Sequence, residues 1–380
     1  MIYADYAATT PLDSRVFEVM KPYFQEQYFN PSALYPQAQK IRKEIEQARS
    51  QVAELLDAES EEIIFTSGGT EADNMAIKGI AFALREKGKH LITSQIEHHA
   101  VLASFQFLER QGFEVTYLPV DDHFRVSVEA FESAIRPDTI LASIMMANNE
   151  TGAIQPIQEL AAIARSEGVY FHTDAVQAIT TCKISVRELG VDALSISGHK
   201  IYGPKGSGAL YLKTDTPIVS WITGGDQEGG YRGGTESVAN LIGLGEAARI
   251  LQSERADREN HGKVLRKRLM DELKRQNLDF QVHQHPTYQL SHIANIGFRE
   301  VESESLLMHL MLRGIVASLG AACNSSSVEP SYVLEAGKVD RAYIKGSVRF
   351  SFGQDTSVED VDRLASEVKQ ILDLIRKVNF

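Results

Sequence analysis

Among 380 residues there are only two cysteines, Cys182 and Cys323, and a single tryptophan. So few cysteines exclude a disulfide framework, and a reducing cytoplasm is the expected compartment. Long apolar runs are missing as well. Nothing approaches the roughly 18 apolar residues that a membrane span needs, and the opening MIYADYAATTPLD has neither a basic stretch nor an apolar core of signal-peptide length. Positive charge is in deficit: 39 Lys and Arg face 51 Asp and Glu, for a net charge of -12 at pH 7. That balance argues against nucleic acid as the default ligand, because phosphate backbones call for a cationic face. Low-complexity tracts, internal repeats and long Pro/Ser linkers are also lacking. What is present is 43% hydrophobic and 24% charged, the composition of a globular protein with large cores, and long enough for two domains.

Through the middle of the chain, apolar runs of strand length alternate with helical patterns. HLITSQ (90–95), TILASIMMA (139–147), VYFHTD (169–174), DALSISG (192–198) and GALYL (208–212) read as strands, as does EIIFTS before them. IQELAAIARSEG (157–168) has apolar residues at helical spacing and a glycine stop. Such alternation predicts an α/β fold, a mostly parallel sheet with helices on both sides. A long helix is expected over 236–276, after which short strands such as HIANIGF (292–298) and SVRFSF (347–352) mix with helices in an α+β pattern. The expected organisation is an N-terminal segment (1–15) available to pack with the small domain, a large domain (16–254) and a smaller C-terminal domain (255–380).

Ligands of open α/β sheets bind beyond the carboxyl ends of the strands, and four of those ends carry polar clusters. TSGGTEADN sends a strand through Gly68, Gly69 and Thr70 into a helix, where free N–H groups and the helix dipole favour an anion; the alternative is an ordinary capped turn. SQIEHHAV places Glu97, His98 and His99 together, as a ring-stacking or proton-moving group or as a helix cap. Two adjacent histidines diverge on a helix and make a poor metal pair. FHTDAVQA puts Asp174 at the mouth of a very apolar strand, a costly position for a carboxylate unless a cation meets it, with Gln177 one turn on. LSISGHKIYGPKG (194–206) supplies Ser197, His199 and Lys200. An enclosed lysine there would be pushed by desolvation toward its neutral, nucleophilic form, whereas taken alone a solvated surface lysine is the commoner fate. Together the four clusters describe a phosphate, a flat ring with a basic nitrogen and an aldehyde able to form a Schiff base. That combination is pyridoxal 5'-phosphate.

Beside these clusters stand YADYAATTP, NPSALY, NNETGAIQP, RGGTES, CNSSSVEPS and SVRFSFG. In this order they resemble the cysteine desulfurases of the NifS/IscS type, fold-type I pyridoxal-phosphate enzymes of the class-V aminotransferase family, and the resemblance spans nearly the whole chain. It implies a seven-stranded, mostly parallel sheet in the large domain and desulfuration of L-cysteine to L-alanine, with an enzyme persulfide on Cys323. It implies Lys200 as the Schiff-base lysine, Asp174 at the pyridinium nitrogen, Gln177 at the ring's phenolic oxygen and His98 on the ring face. Gly69, Thr70, Ser197 and His199 would hold the phosphate, joined by Thr235 from the other subunit of a homodimer. Asn149 would face both cofactor and substrate, and Arg349 would bind the substrate carboxylate. The implied sulfur acceptor is an iron-sulfur scaffold protein or a tRNA-thiolation enzyme.

Several positions depart from the family pattern: Tyr35 where histidine is usual, Asp226 where glycine is common, Gly229 where many members carry arginine, and SLGAAC in place of SSGSAC ahead of Cys323. The weighed alternatives are a pyridoxal-phosphate selenocysteine lyase or an aminotransferase on another small amino acid. A thiol or metal module using Cys323 with His283 and His285 is a third reading, though no Cys/His spacing matches structural zinc. Cys182, in ITTCKISV, fits no motif; it is expected to be a packing residue near a strand start.

Overall fold

The apolar runs become the strands of one seven-stranded sheet, in the order Ile63–Thr66, Gly208–Leu212, Ala193–Ser197, Tyr170–Asp174, Thr139–Ser143, His90–Ser94, Glu114–Leu118. The computed structural model describes residues 1–319 and 330–378. Only Gly208–Leu212 runs antiparallel to its neighbours; the other pairings are parallel. Inner strands such as Thr139–Ser143 and Ala193–Ser197 are buried at every residue, as expected where helices cover both faces. Glu114–Leu118, at the sheet edge, is buried only at its last residue.

One face carries a large core that includes Ile45, Val52, Phe131, Leu160, Phe171 and Leu244. The other face carries Met75, Ile80, Val101, Phe105 and Leu108 from the helices Gly69–Leu84 and His99–Arg110. A further core, with Phe298, Leu306, Val348, Phe350, Val361 and Leu372, gathers around the antiparallel sheet Ser347–Ser351, Ile293–Phe298, Phe280–Val282.

Two segments join these cores. The helix Val238–Arg275 is 38 residues long, or about 57 Å at 1.5 Å per residue. Its first half gives Leu241, Leu244 and Leu251 to the large core, and its second half gives Leu265, Leu269 and Leu273 to the smaller one. The chain start makes the opposite crossing. Ile2–Tyr3 pairs in parallel with Ile315–Val316, Ile2 and Ala4 lie in the smaller core, and Ala7 already belongs to the large one.

Two local expectations differ from what is observed. The run 139–147 is a regular strand only to Ser143, because the Glu97 carboxylate accepts a hydrogen bond from the Met145 N–H (3.0 Å). Cys182 follows the short turn Ala178–Thr180 and precedes the helix Val186–Leu189, so it stands by no strand start. It packs against the large core, and burial pushes its thiol up to about 11, which leaves it poorly nucleophilic.

Candidate active site

All four strand-end clusters open into one cavity of about 290 Å³, lined also by Arg349 from the strand Ser347–Ser351 and by Tyr332. The cradle comes first in the chain. Gly68 has φ +152° and ψ 178°, a conformation open essentially to glycine alone. It ends the strand Ile63–Thr66 and lets the helix Gly69–Leu84 begin with its amino end facing the cavity. A Cβ at Gly69 would stand 2.6 Å from Val176 Cγ2, so that side too is kept bare. Thr70 is the second helical residue, and Ser197 packs against Gly69.

His98 caps the helix His99–Arg110, its Nδ1 accepting a hydrogen bond from the Ala100 N–H (3.2 Å). That bond places a ring proton on Nε2. Burial lowers the pKa of His98, against the pull of Asp174. Asp174 ends the strand Tyr170–Asp174 and accepts a hydrogen bond from the Val176 N–H (2.9 Å). Burial raises its pKa, while His98 and Lys200 pull it the other way; a cation brought into the cavity would lower it further.

Lys200 extends from the turn Gly198–Lys200, and its ammonium donates to the carbonyls of Ala7 (2.5 Å) and Ala8 (2.8 Å). His199 Nδ1 lies 3.1 Å from Thr9 Oγ1, and burial pushes its imidazole down to about 4, so it is neutral at pH 7. The chain start therefore holds the His and the Lys of the Gly-His-Lys turn. Arg349, only 2% exposed, donates to Asp5 Oδ1 and to the Asn149 carbonyl, each at 2.8 Å.

The geometry gathers Gly69, Thr70, His98, Asn149, Asp174, Gln177, Ser197, His199, Lys200 and Arg349 on one cavity. Thr235 is not among its lining residues; it is exposed on the loop before the helix Val238–Arg275. Cys323 lies outside the described residues. Among the described residues, no cluster of three His, Cys, Asp or Glu side chains is placed to hold a metal ion, and no helix is long and apolar enough to cross a membrane.

Sequence reasoning missed several wall residues. Asp73, on the helix Gly69–Leu84, is buried in the cavity wall, and burial together with the Asp174 charge drives its pKa well up. Glu150, pushed up to about 7 by burial, accepts from the Ser331 hydroxyl (2.6 Å). Tyr332 donates to the Glu97 carbonyl (2.6 Å). The motifs TEADN and NNETG already carried the first two, but nothing in one sequence marks such carboxyls as facing inward.

The cavity is a polar site lacking its complement. Gln177 Oε1 and Asn149 Oδ1, on two of its lining residues, are buried without hydrogen-bond partners. Buried polar atoms of this kind cost stability unless a ligand or water meets them. Amine, buried carboxylate, imidazole and a bare helix start together suit a flat, phosphorylated, carbonyl-bearing ring.

Comparison with known proteins agrees with this geometry. A cysteine desulfurase IscS from Dictyoglomus turgidum is 48% identical over 378 residues, covering 100% of this chain and 96% of its own length. One from Methanosarcina thermophila is 49% identical, covering 100% of this chain and 93% of its own length. A solved NifS-like protein superposes with a TM-score of 0.93 at 34% identity, over 98% of this chain and 99% of its own. A structure described as SspA in complex with cysteine superposes at 0.82 with 38% identity, over 93% of this chain and 99% of its own. The aminotransferase class-V model matches residues 2–364, and with these relatives across its whole length the chain belongs to that family.

Proposed function

We propose that this chain is a pyridoxal-phosphate-dependent cysteine desulfurase, removing sulfur from L-cysteine to give L-alanine and an enzyme persulfide on Cys323. The observation that carries this reading is the convergence of Lys200, Asp174 and His98 with a bare helix N-terminus on one cavity. Full-length relatives named cysteine desulfurase, and a fold neighbour described with cysteine bound, support it.

When bound, pyridoxal phosphate supplies a carbonyl for amine exchange and an electron sink for the bonds around the substrate's α-carbon. Lys200 is the residue for covalent attachment; its ammonium is already oriented by the Ala7 and Ala8 carbonyls. Asp174 is the buried counter-charge for a protonated ring nitrogen. His98, with its Nδ1 tied to the backbone, would stack on the ring and could hold or pass a proton at Nε2. Gly69, Thr70, Ser197 and His199 take the phosphate, and Gln177 takes the ring oxygen. Asn149, which lines the same cavity, would contact cofactor and substrate together. Arg349, held by Asp5, orients the substrate carboxylate.

Cys323 as thiolate then takes the substrate sulfur. The substrate's C–S bond breaks and an S–S bond forms, so L-cysteine and the enzyme thiol become L-alanine and a persulfide with no outside oxidant. Thr235, exposed beyond the cavity, is assigned to the phosphate of a second subunit in a homodimer. The persulfide is destined for an acceptor thiol on an iron-sulfur scaffold or a tRNA-thiolation enzyme. Cytoplasmic location fits the two-cysteine composition.

Borohydride reduction of the yellow holoenzyme followed by peptide mapping tests the reading. The cofactor should be fixed on Lys200, and Lys200→Ala should lose the visible band. A colourless wild-type protein that takes up no pyridoxal phosphate would overturn it.

A further inference from the structure

Behind Gln177 stands a histidine that belongs to none of the four strand-end clusters. His292 directly precedes the strand Ile293–Phe298, is 6% exposed, and places its Nε2 3.2 Å from Gln177 Nε2 and 3.4 Å from Thr180 Oγ1. Its other nitrogen, Nδ1, is buried with no hydrogen-bond partner, and so is Gln177 Oε1. Two nitrogens thus face each other while an amide oxygen and a ring nitrogen go unmet.

A single choice of protons resolves most of this. Burial, reinforced by the Arg349 and Lys200 charges, pushes His292 down to about 3, so its ring is neutral and has one N–H. A proton on Nδ1 would be a donor buried without an acceptor, the more expensive arrangement. A proton on Nε2 meets Thr180 Oγ1, whose own hydrogen is committed to the Gln177 carbonyl (2.8 Å), and it also meets the Gln177 side chain. The Gln177 amide must then offer oxygen to the imidazole. A half-turn about its last bond exchanges oxygen and nitrogen without changing the shape of the group. After that turn the NH2 faces the cavity as a donor.

We infer that His292 is a positioning residue: its Nε2–H holds the Gln177 amide with the N–H side toward the cavity, where it meets an anionic oxygen on the cofactor ring. Without His292 the amide is free to show its carbonyl to that oxygen, which repels it. The inference rests on the pyridoxal-phosphate reading proposed above and adds to it a partner from the small core's side of the cleft.

The test compares holoenzymes of His292→Leu and His292→Gln, alone and with Gln177→Leu, by pH titration of the visible band and by cofactor dissociation. Loss of a charge-assisted donor to the ring oxygen is worth about a factor of ten. His292→Leu should therefore raise the midpoint of the band by about one pH unit, because the ring keeps its proton more readily, and weaken cofactor binding about tenfold. His292→Gln, whose amide nitrogen reaches the place of Nε2, should stay near wild type. In the Gln177→Leu background, His292→Leu should move the midpoint no further. If the leucine variant does not fold, the flexible His292→Met takes its place. An unmoved midpoint in the apolar variant, an equal shift with and without Gln177, or a glutamine variant as displaced as leucine would each overturn the inference. A wild type with no visible band would instead defeat the cofactor reading itself.

Discussion

Glu228 offers the most demanding stability prediction, because its carboxylate ties together three separate parts of the chain. It is 5% exposed and accepts two hydrogen bonds from the Arg49 guanidinium (2.6 and 2.9 Å) and one from the Phe65 N–H (2.8 Å). Arg49 is 11% exposed, lies 4.6 Å over the Phe65 ring and also donates to the Ile63 carbonyl (2.8 Å). Burial works against the Arg49 charge, but Glu228 outweighs it and holds the guanidinium above its ordinary value. The clamp thus fastens the loop that leads to Thr235 onto the strand that leads to Gly68.

Replacing Glu228 with alanine strands that buried guanidinium and the Phe65 amide. Breaking a buried pair from one side costs about 3–5 kcal/mol. Arg49 keeps Glu46 at 3.0 Å and the Ile63 carbonyl, which places the expected loss near the lower bound, about 3 kcal/mol. The left-handed backbone of residue 228 (φ +48°) is as unfavourable for alanine as for glutamate, so no strain is released. Thermal and denaturant melts of the holoenzyme give the stability change. A cycle with Arg49→Met should show a coupling of about 2–3 kcal/mol. Because Phe65 is three residues ahead of the Gly68 turn, cofactor dissociation should rise as well, by about tenfold for a displaced hydrogen bond. A variant within about 0.5 kcal/mol of wild type, or strict additivity with Arg49→Met, would refute the clamp.

Two further outcomes follow from the site. Gly68→Ala should cost about 1–3 kcal/mol through its backbone conformation and loosen cofactor binding; Gly112→Ala, strained at φ +86° but with nothing within 4 Å of its new Cβ, should leave binding unchanged by equilibrium dialysis. Glu150 has a folded pKa raised to about 7, so its contribution to stability is full below the unfolded carboxylate range and fades as pH rises through 7. Glu150→Gln should therefore gain on wild type between pH 5 and pH 8, by at most about 3 kcal/mol, and parallel melting curves would contradict that sign.

The strand-end rule makes most of the cavity legible in the sequence, because each cluster sits next to a run of apolar residues whose period is visible. Lys200 was the hardest to place by such reasoning. Its enclosure depends on the carbonyls of Ala7 and Ala8, some 190 positions away in sequence, and small residues give no periodic signal for that contact. Asp73 and His292 stayed hidden for a related reason. A polar residue on an otherwise apolar helix face, or just ahead of a strand, looks the same whether it meets solvent or lines a cleft. The long helix was legible as a helix, yet its role in joining two cores emerges only from which of its leucines each core takes up.

The central claim is that sulfur leaves L-cysteine for Cys323. Holoenzyme given L-cysteine in slight excess, without acceptor or reductant, should yield one alanine per active site, and the Cys323 peptide should gain the mass of one sulfur atom. Cys323→Ala should form neither product at an appreciable rate. Undiminished alanine release by that variant, or sulfur found on Cys182 instead, would contradict the account.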